Sequence, residues 1–403
     1  MVSIGCKVKT TTGKIGHITE FLGRGGEGSA YKIKTSTGYE ALKIFHRSFD
    51  KKQTEKRLKY LVDNNLHLLS SIFKTPEEIY TNRDEIGYTA SFAFGLSLDK
   101  YLEKPTGTFA DNLVLAITLV YGLMLLHECG IAHGDLHPGN FIVDEFRKVH
   151  RLYFIDLDNF HSSNTPKPRM LGNLLYIAPE LRLAQRANVR IYPNILCDLY
   201  SAGLIIHELL LMHYPENITR KLKEEYVGFV DDIDFGDSQQ KGLQENILNP
   251  ELRRLIHRAL SDKPSERPFM HEWLSVLLDA LEKIYQCDYC GMPFVNDSSK
   301  WRCTSCSREF PVLKLILNNG REIRLDKNGM SILGKHIGTG RDNSEWGTVQ
   351  KFGCEVSLIP GHNSVYYWGK DGWIRLKEHE SFLLKNGGRF LFGNVEGKVV
   401  EWE

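Results

Sequence analysis

The stretch His133–Asp144 reads HGDLHPGNFIVD, and residues 155–159 read IDLDN. No other part of the chain restricts the fold as tightly. An acid (Asp135) and a carboxamide (Asn140) share a short polar loop, an apolar strand-like run follows, and a second acid (Asp156) comes after the next apolar run. Mg²⁺ is a hard cation that takes oxygen ligands and keeps several waters, so one carboxylate, one amide and the phosphates of a nucleotide suffice to hold it. The pattern is that of a phosphoryl-transfer site with a proton acceptor and two metal ligands. The loop alone leaves the acceptor open: a protein, a small molecule, or none.

Composition narrows the setting. The chain has 403 residues, 42% hydrophobic and 25% charged, which suits two or three folded domains. Lys plus Arg (51) nearly equals Asp plus Glu (50), so no global basic field points to nucleic acid or to a membrane surface. The N-terminal MVSIGCKVKTTTGKIGH lacks the apolar core of a signal peptide and reads as the start of a strand. The longest apolar run, Leu113–Leu126, is shorter than the roughly 20 residues of a membrane helix and contains Thr, Tyr and Gly, so a buried helix is expected. The expected location is the cytoplasm. Four of the eight cysteines (Cys6, Cys129, Cys197, Cys354) are scattered and four cluster late, as reduced thiols plus one metal site would be.

Three segments follow from the patterning. Residues 1–283 open with short β-type runs, EALKIF and IGYTASFAF, and continue with helical patterns such as DLYSAGLIIHELLLMH, which predicts a small sheet-rich lobe joined to a helical lobe across a cleft. Residues 284–311 are Cys-rich and too short for an apolar core of their own. Residues 312–403 alternate strand-like runs (KLILNN, SVYYWG, WIRLKE, RFLFGN) with Asn- and Gly-rich turns, which predicts an antiparallel sandwich.

In the first segment, FLGRGGEGSAYKIK places Gly23, Gly25, Gly26 and Gly28 between two strand-like runs. Glycines let backbone N–H groups approach phosphate oxygens, although a plain glycine-rich hairpin has the same look. The run leads into a strand and not a helix, which disfavours a dinucleotide fold. Lys43 follows in the next strand, flanked by apolar residues.

At this point the chain resembles the protein kinases, and the resemblance covers about 260 residues. HGDLHPGN is similar to the HRDxxxxN catalytic loop and IDLDN to the DFG stretch. The resemblance implies that Lys43 reaches the α and β phosphates of ATP, that Asp135 accepts or orients the acceptor hydroxyl proton, and that Asn140 and Asp156 hold Mg²⁺. It also implies an acidic partner for Lys43 on the helix within DKKQTEKRLKYLVDN; Glu55 is the expected one, with a solvated face as the other reading. His137 stands in the place of the catalytic-loop lysine and would meet the γ-phosphate as a neutral donor or as imidazolium. Gly134 replaces the Arg of HRD, which implies no obligatory activation-loop phosphorylation, and Asp158 replaces the Gly of DFG.

HGDxHxGN and IDxD are also similar to aminoglycoside phosphotransferases. MLGNLLYIAPEL, CDLYSAGLIIHELL and KPSERPFMHEWL, however, resemble the peptide-docking platform of protein kinases, with Tyr176, Ala178, Pro179, Glu180, Asp198, Gly203 and Arg267 in the corresponding places. The resemblance implies a Glu180–Arg267 ion pair and an Asp198 that bonds back to the catalytic loop. Ser162, Ser163 and Thr165 are candidate autophosphorylation sites or plain turn residues. The expected enzyme is a serine/threonine kinase of bacterial type acting on protein. A pseudokinase scaffold and a small-molecule phosphotransferase remain as alternatives.

CDYCGMPFVNDSSKWRCTSC supplies Cys287, Cys290, Cys303 and Cys306, two CxxC turns whose four thiolates complete the tetrahedron that structural Zn²⁺ prefers. SILGKHIGTGRDN gives residues 312–403 a weak similarity to FHA domains, with Lys335 or Arg341 as the basic group; Ser357 and His362 lack the expected Ser-x-x-His spacing. The expected partners are a protein substrate and, through this module, a PP2C-type phosphatase or a phosphopeptide. The expected whole is an α+β chain: a bilobal kinase-like fold, a zinc ribbon and a β-sandwich.

Overall fold

The structure is a computed structural model, and it describes residues 3–146, 149–167, 172–226, 243, 245–287, 289–296, 303–307, 312–325, 329–339, 343–352 and 355–402. By internal contacts the chain divides into residues 1–243 with 254–277, and residues 244–253 with 278–403.

The first unit opens with strands β1 (Lys7–Lys9), β2 (Ile15–Arg24), β3 (Gly28–Lys34) and β4 (Tyr39–Phe45), then helix α1 (Lys51–Asp63), β5 (Glu78–Asn82) and β6 (Glu85–Ser91). They form one antiparallel sheet in the order β1-β2-β3-β4-β6-β5. Alternation decides its faces: Tyr31, Ile33, Leu42 and Ile44 point to one core with Val8, Ile18 and Tyr80. Phe45, Ile86, Tyr88 and Ala90 pack on Leu58 of α1. Asp50 caps α1 by accepting the Gln53 N–H at 3.1 Å.

Strand β7 (Leu96–Ser97) and helices α2 (Leu98–Glu103) and α3 (Phe109–Glu128) lead into the hairpin β8 (Phe141–Asp144) and β9 (Arg151–Phe154). Thr108 and Asp111 cap α3 reciprocally. Among the described residues α3 is the one helix long and apolar enough to cross a membrane. It packs on α5 (Ile195–Leu211) and β9, and its Leu113, Leu119, Val120 and Leu126 are fully enclosed. Helices α4 (Pro179–Arg186), α6 (Glu216–Glu225), α7 (Pro250–Ala259) and α8 (Met270–Glu282) follow, the residues of α7 and α8 being divided between the two units.

The second unit contains the hairpin β10 (Ile284–Gln286) and β11 (Pro293–Val295), with residues 245–247 packed on β11 and the Asn246 amide donating to the Thr304 carbonyl at 3.0 Å. Beyond it come β12 (Val312–Leu317), β13 (Glu322–Arg324), β14 (Met330–Leu333), β15 (Glu345–Phe352), β16 (Glu355–Pro360), β17 (Val365–Gly369), β18 (Gly372–Arg375), β19 (Phe382–Leu383), β20 (Arg389–Phe392) and β21 (Val395–Trp402). They build two antiparallel sheets, β13-β12-β21-β20-β17-β18 and β14-β15-β16-β19. Leu315, Val365, Phe390 and Val399 of the first sheet share one core with Ile332, Val349 and Leu358 of the second.

Candidate active site

The β8–β9 hairpin builds the site. Phe141 faces Phe154 in its register, so the residue before β8 and the residues after β9 lie side by side, and the Ile155 N–H donates to the Asn140 carbonyl at 3.0 Å. Asn140 and Asp156, sixteen positions apart, thereby come to one edge. The Asn140 NH₂ group donates to the Asp135 carbonyl at 2.8 Å, leaving the carboxamide oxygen for a cation. Asp156 sits in a left-handed backbone conformation, φ 59° and ψ 45°.

From the other lobe, Lys43 on β4 donates to Asp156, to both Asp158 oxygens at 3.1 Å, and lies 3.5 Å from Glu27. Tyr88 on β6 donates to Asp156 at 3.3 Å. Burial would lower the Lys43 pKa, but Asp156 and Asp158 outweigh it and hold the amine well above its ordinary value. Burial would raise Asp156 likewise, but Lys43 holds it well below the usual carboxylate range, whereas burial and the neighbouring Asp156 charge push Asp158 up.

Asp135 is pushed up to about 7, first by burial and then by the charges of Asp156 and Glu27. His137 accepts the Gly139 N–H on Nδ1 at 3.2 Å, so the neutral ring carries its proton on Nε2, 4.0 Å from an Asp135 oxygen. Burial lowers its pKa and favours that neutral form, one of the two states expected for it.

The glycine-rich turn joins β2 to β3. A side chain at Gly28 would sit 2.4 Å from the Ile44 carbonyl, so β4 itself demands glycine there. At Gly23, Gly25 and Gly26 an added Cβ would meet nothing within 4 Å. The chain's own packing therefore does not demand glycine at those three positions.

Below the catalytic loop, Asp198 of α5 accepts the N–H groups of His133 at 2.7 Å and Gly134 at 2.9 Å. Glu180 and Arg267 form a two-pronged ion pair at 2.8 and 2.7 Å. The segment 176–180 is held further by Ser201, which donates to the Tyr176 carbonyl at 2.7 Å, by Arg182, which donates to the Ile177 carbonyl at 2.6 Å, and by Tyr176, which donates to Glu208 at 2.6 Å.

Glu55 is corrected. It lies on the exposed face of α1, and the acids at Lys43 are Asp156, Asp158 and Glu27. A helix turns ~100° per residue, and the face that α1 buries carries Thr54, Arg57, Leu58 and Leu61, none of them acidic. Sequence reasoning also missed Arg57, Tyr88 and Glu27; the period of Leu58 and Leu61 was the available signal for Arg57. Ser162 is buried and so is not presented for modification, whereas Ser163 is exposed and Thr165 half-buried.

In the Cys-rich segment, Cys287 and Cys306 lie 3.7 Å apart and Cys290 and Cys303 3.6 Å, all four sulfurs within 4.8 Å of one another. A tetrahedron with Zn–S bonds of about 2.3 Å has edges of roughly 3.8 Å, so the donor set fits zinc. Burial would raise Cys287, but the backbone N–H groups of Cys290 and Tyr289 outweigh it and bring the thiol down to about 7, towards the ligating thiolate. Lys335 is exposed on the C-terminal β-rich region, Ser357 lies on β16 and His362 is exposed; Arg341 and Cys354 lie outside the described residues.

Comparison with known proteins agrees with this geometry. The family model of the protein kinase domain matches residues 17–277. The chain is 26% identical over 280 residues to the interferon-induced, double-stranded RNA-activated protein kinase of Rattus norvegicus, covering 64% of this chain and 51% of that one. It is 26% identical over 203 residues to the serine/threonine-protein kinase KIN4 of Saccharomyces cerevisiae, covering 47% and 25%. It is 27% identical over 198 residues to a protein kinase and PP2C-like domain-containing protein of Arabidopsis thaliana, covering 42% and 29%. The chain spans about half of the rat relative's length and less of the others.

Proposed function

Because the chain belongs to the protein kinase family, we propose that it transfers the γ-phosphate of ATP to serine or threonine hydroxyls of a protein, with Mg²⁺. The observation that carries this reading is the meeting of Lys43 from one lobe with Asp156 from the other, beside the Asn140 carboxamide and the half-buried Asp135. In the transfer, the acceptor oxygen bonds to the γ-phosphorus while the bond to the β,γ-bridging oxygen breaks. ADP keeps that electron pair, and the hydroxyl proton goes to the Asp135 carboxylate. Asn140 and Asp156 would hold Mg²⁺, which when bound offsets phosphate charge. Lys43 would orient the phosphates, and the uncrowded glycine turn would leave room for them against the backbone.

A protein acceptor is favoured over a small one by the segment 176–180, pinned by Ser201, Arg182 and Arg267, with Ile177 and the Asp135 carboxyl both within 4 Å of where a Cβ on Gly172 would sit. Structural zinc at Cys287, Cys290, Cys303 and Cys306 and a recruiting role for the C-terminal β-rich region complete the proposal. That region could engage a phosphopeptide through Lys335, or a PP2C-type phosphatase; a kinase is joined to a PP2C-like domain in the plant relative's name. The scaffold alternative rests on Gly134, His137 and Asp158, which depart from the usual kinase residues.

Peptide mass spectrometry after incubation with Mg²⁺ and ATP tests the reading. Phosphate on serine or threonine of the parent, absent from Asp135→Ala and Asp156→Ala, is the expected result. A parent that binds ATP and gains no phosphate overturns it in favour of the scaffold.

A further inference from the structure

Protein kinases orient the strand lysine with a glutamate from the first large helix, and activity is controlled by bringing that helix in. Here α1 offers no acid to Lys43. Both oxygens of Asp158 accept from Lys43 at 3.1 Å instead, and the Asp158 side chain is only 4% exposed. The inward position of α1 is taken by Arg57, of opposite charge. Its Nε and Nη2 donate to the Asp158 carbonyl at 3.1 and 2.9 Å, Nη1 to the Pro166 carbonyl at 2.7 Å, and Nη2 also to the Phe160 carbonyl. The guanidinium lies 4.8 Å over the Phe160 ring, which stacks on Tyr60 of the same helix.

We propose that Asp158 is the anchor of Lys43, replacing the helix glutamate, and that Arg57 is the positioning residue that fixes the segment bearing it. The assignment rests on the kinase reading. Lys43 then depends on a residue two positions from Asp156, so its orientation and the Asp156 carboxylate are set together by one segment. Helix α1 acts on that segment through backbone carbonyls. A guanidinium bound to those carbonyls braces the segment without a phosphate, which gives a physical reason for a catalytic loop with Gly134 in place of arginine.

The test uses the full chain, following MgATP turnover to ADP without added acceptor and MgATP affinity by calorimetry. Asp158→Ala is expected to slow turnover at saturating MgATP about tenfold or more with affinity held within about threefold, the signature of lost orientation and not of lost binding. Asp158→Asn keeps one acceptor oxygen and the residue's shape, so it loses less and serves if the alanine variant misfolds. Lys43→Met with Asp158→Ala should be no slower than Lys43→Met alone, since both remove one interaction. Arg57→Ala should give the same split, non-additive with Asp158→Ala, and Arg57→Lys should recover part of it. Multiplying losses, full turnover in Asp158→Ala, or a raised Mg²⁺ requirement in that variant, which would make Asp158 a cation ligand, each overturn the assignment. A parent that turns over no ATP sinks the kinase reading and the assignment together. An active parent indifferent to Asp158 sinks only the second.

Discussion

The Arg267 guanidinium grips the Glu180 carboxylate with two bonds, 2.8 and 2.7 Å, and also donates to the carbonyls of Leu196 at 2.8 Å and Ser261 at 3.1 Å. Arg267 is fully enclosed, with its guanidinium 5.1 Å over the Tyr200 ring. Burial would raise the Glu180 pKa, but Arg267 outweighs it and keeps the acid ionised. Removing Glu180 strands a fully enclosed guanidinium, so Glu180→Ala should cost about 3 kcal/mol in urea unfolding, and Arg267→Ala, which leaves a half-buried carboxylate and two carbonyls without their donor, should cost a comparable amount. Arg267→Lys should recover little, because an ammonium cannot reproduce the fork together with two carbonyl bonds. A cost below about 1 kcal/mol would place this pair with ordinary surface bridges.

Protons enter through Asp135 and Glu208. Burial pushes Glu208 up to about 7, as burial with the neighbouring charges does Asp135. Unfolded carboxyls titrate near about 4, so between roughly pH 4 and 7 these two groups bind more protons in the folded chain than in the unfolded one, and their contribution to stability falls as pH rises across that window. His133 and His207, which burial brings down to about 4, contribute with the opposite sign over most of it. Asp135→Asn and Glu208→Gln should each remove part of the slope in melting temperature against pH. Transfer has the opposite dependence, since Asp135 must be ionised to take the hydroxyl proton: the rate should rise with pH through about 7. A Mg²⁺ ion at Asp156 offsets one cause of the shift, so the inflexion should move down as Mg²⁺ is raised. A flat profile over that range would remove Asp135 from the proton's path.

Most of this architecture was legible because residue type and order carry it. Asp135, Asn140 and Asp156 flank a hairpin whose strands, Phe141–Asp144 and Arg151–Phe154, are mostly apolar, and Asp198 stands out as a charge inside the apolar run of α5, whereas Glu180 and Arg267 are recognised only by their places in the kinase pattern. The partner of Lys43 was not legible. The choice of Glu55 followed an expectation about helix acids, whereas the phase of α1, fixed by Thr54, Leu58 and Leu61, turns that residue to solvent. Asp158 was visible as a departure from glycine, but its contact with Lys43 depends on how the strand on one lobe meets the turn on the other, which no local pattern encodes. Glu55→Ala should accordingly leave stability within about 0.5 kcal/mol and leave MgATP turnover unchanged. A large loss of turnover in that variant would restore the helix acid.

Zinc analysis checks the four cysteines. Purified under reducing conditions, the chain should carry one zinc per molecule, released by mercuribenzoate as the thiolates are modified. Cys303→Ser should lower the content well below one and lower the melting temperature of the region it holds, because a short segment without an apolar core depends on the metal for its fold. Two disulfides and no zinc in the parent would replace the metal reading by a covalent one.

Gly134 provides the sharpest contrast with other kinases. Its φ is +77°, and a Cβ there would approach the Asn159 carbonyl to 3.2 Å and Pro193 to 3.4 Å. The backbone is held in that conformation by the bond from its N–H to Asp198. Restoring the usual arginine therefore sets a side chain in a left-handed position and presses it on two neighbours, at a cost of about 1–2 kcal/mol from the backbone alone. Gly134→Arg should melt earlier than the parent and turn over ATP more slowly. It should also gain nothing from a phosphomimetic Ser163→Asp, because the segment is already braced by Arg57. Faster turnover in the double variant than in Gly134→Arg alone would mean that the chain retains a phosphate-dependent switch lacking only its cation.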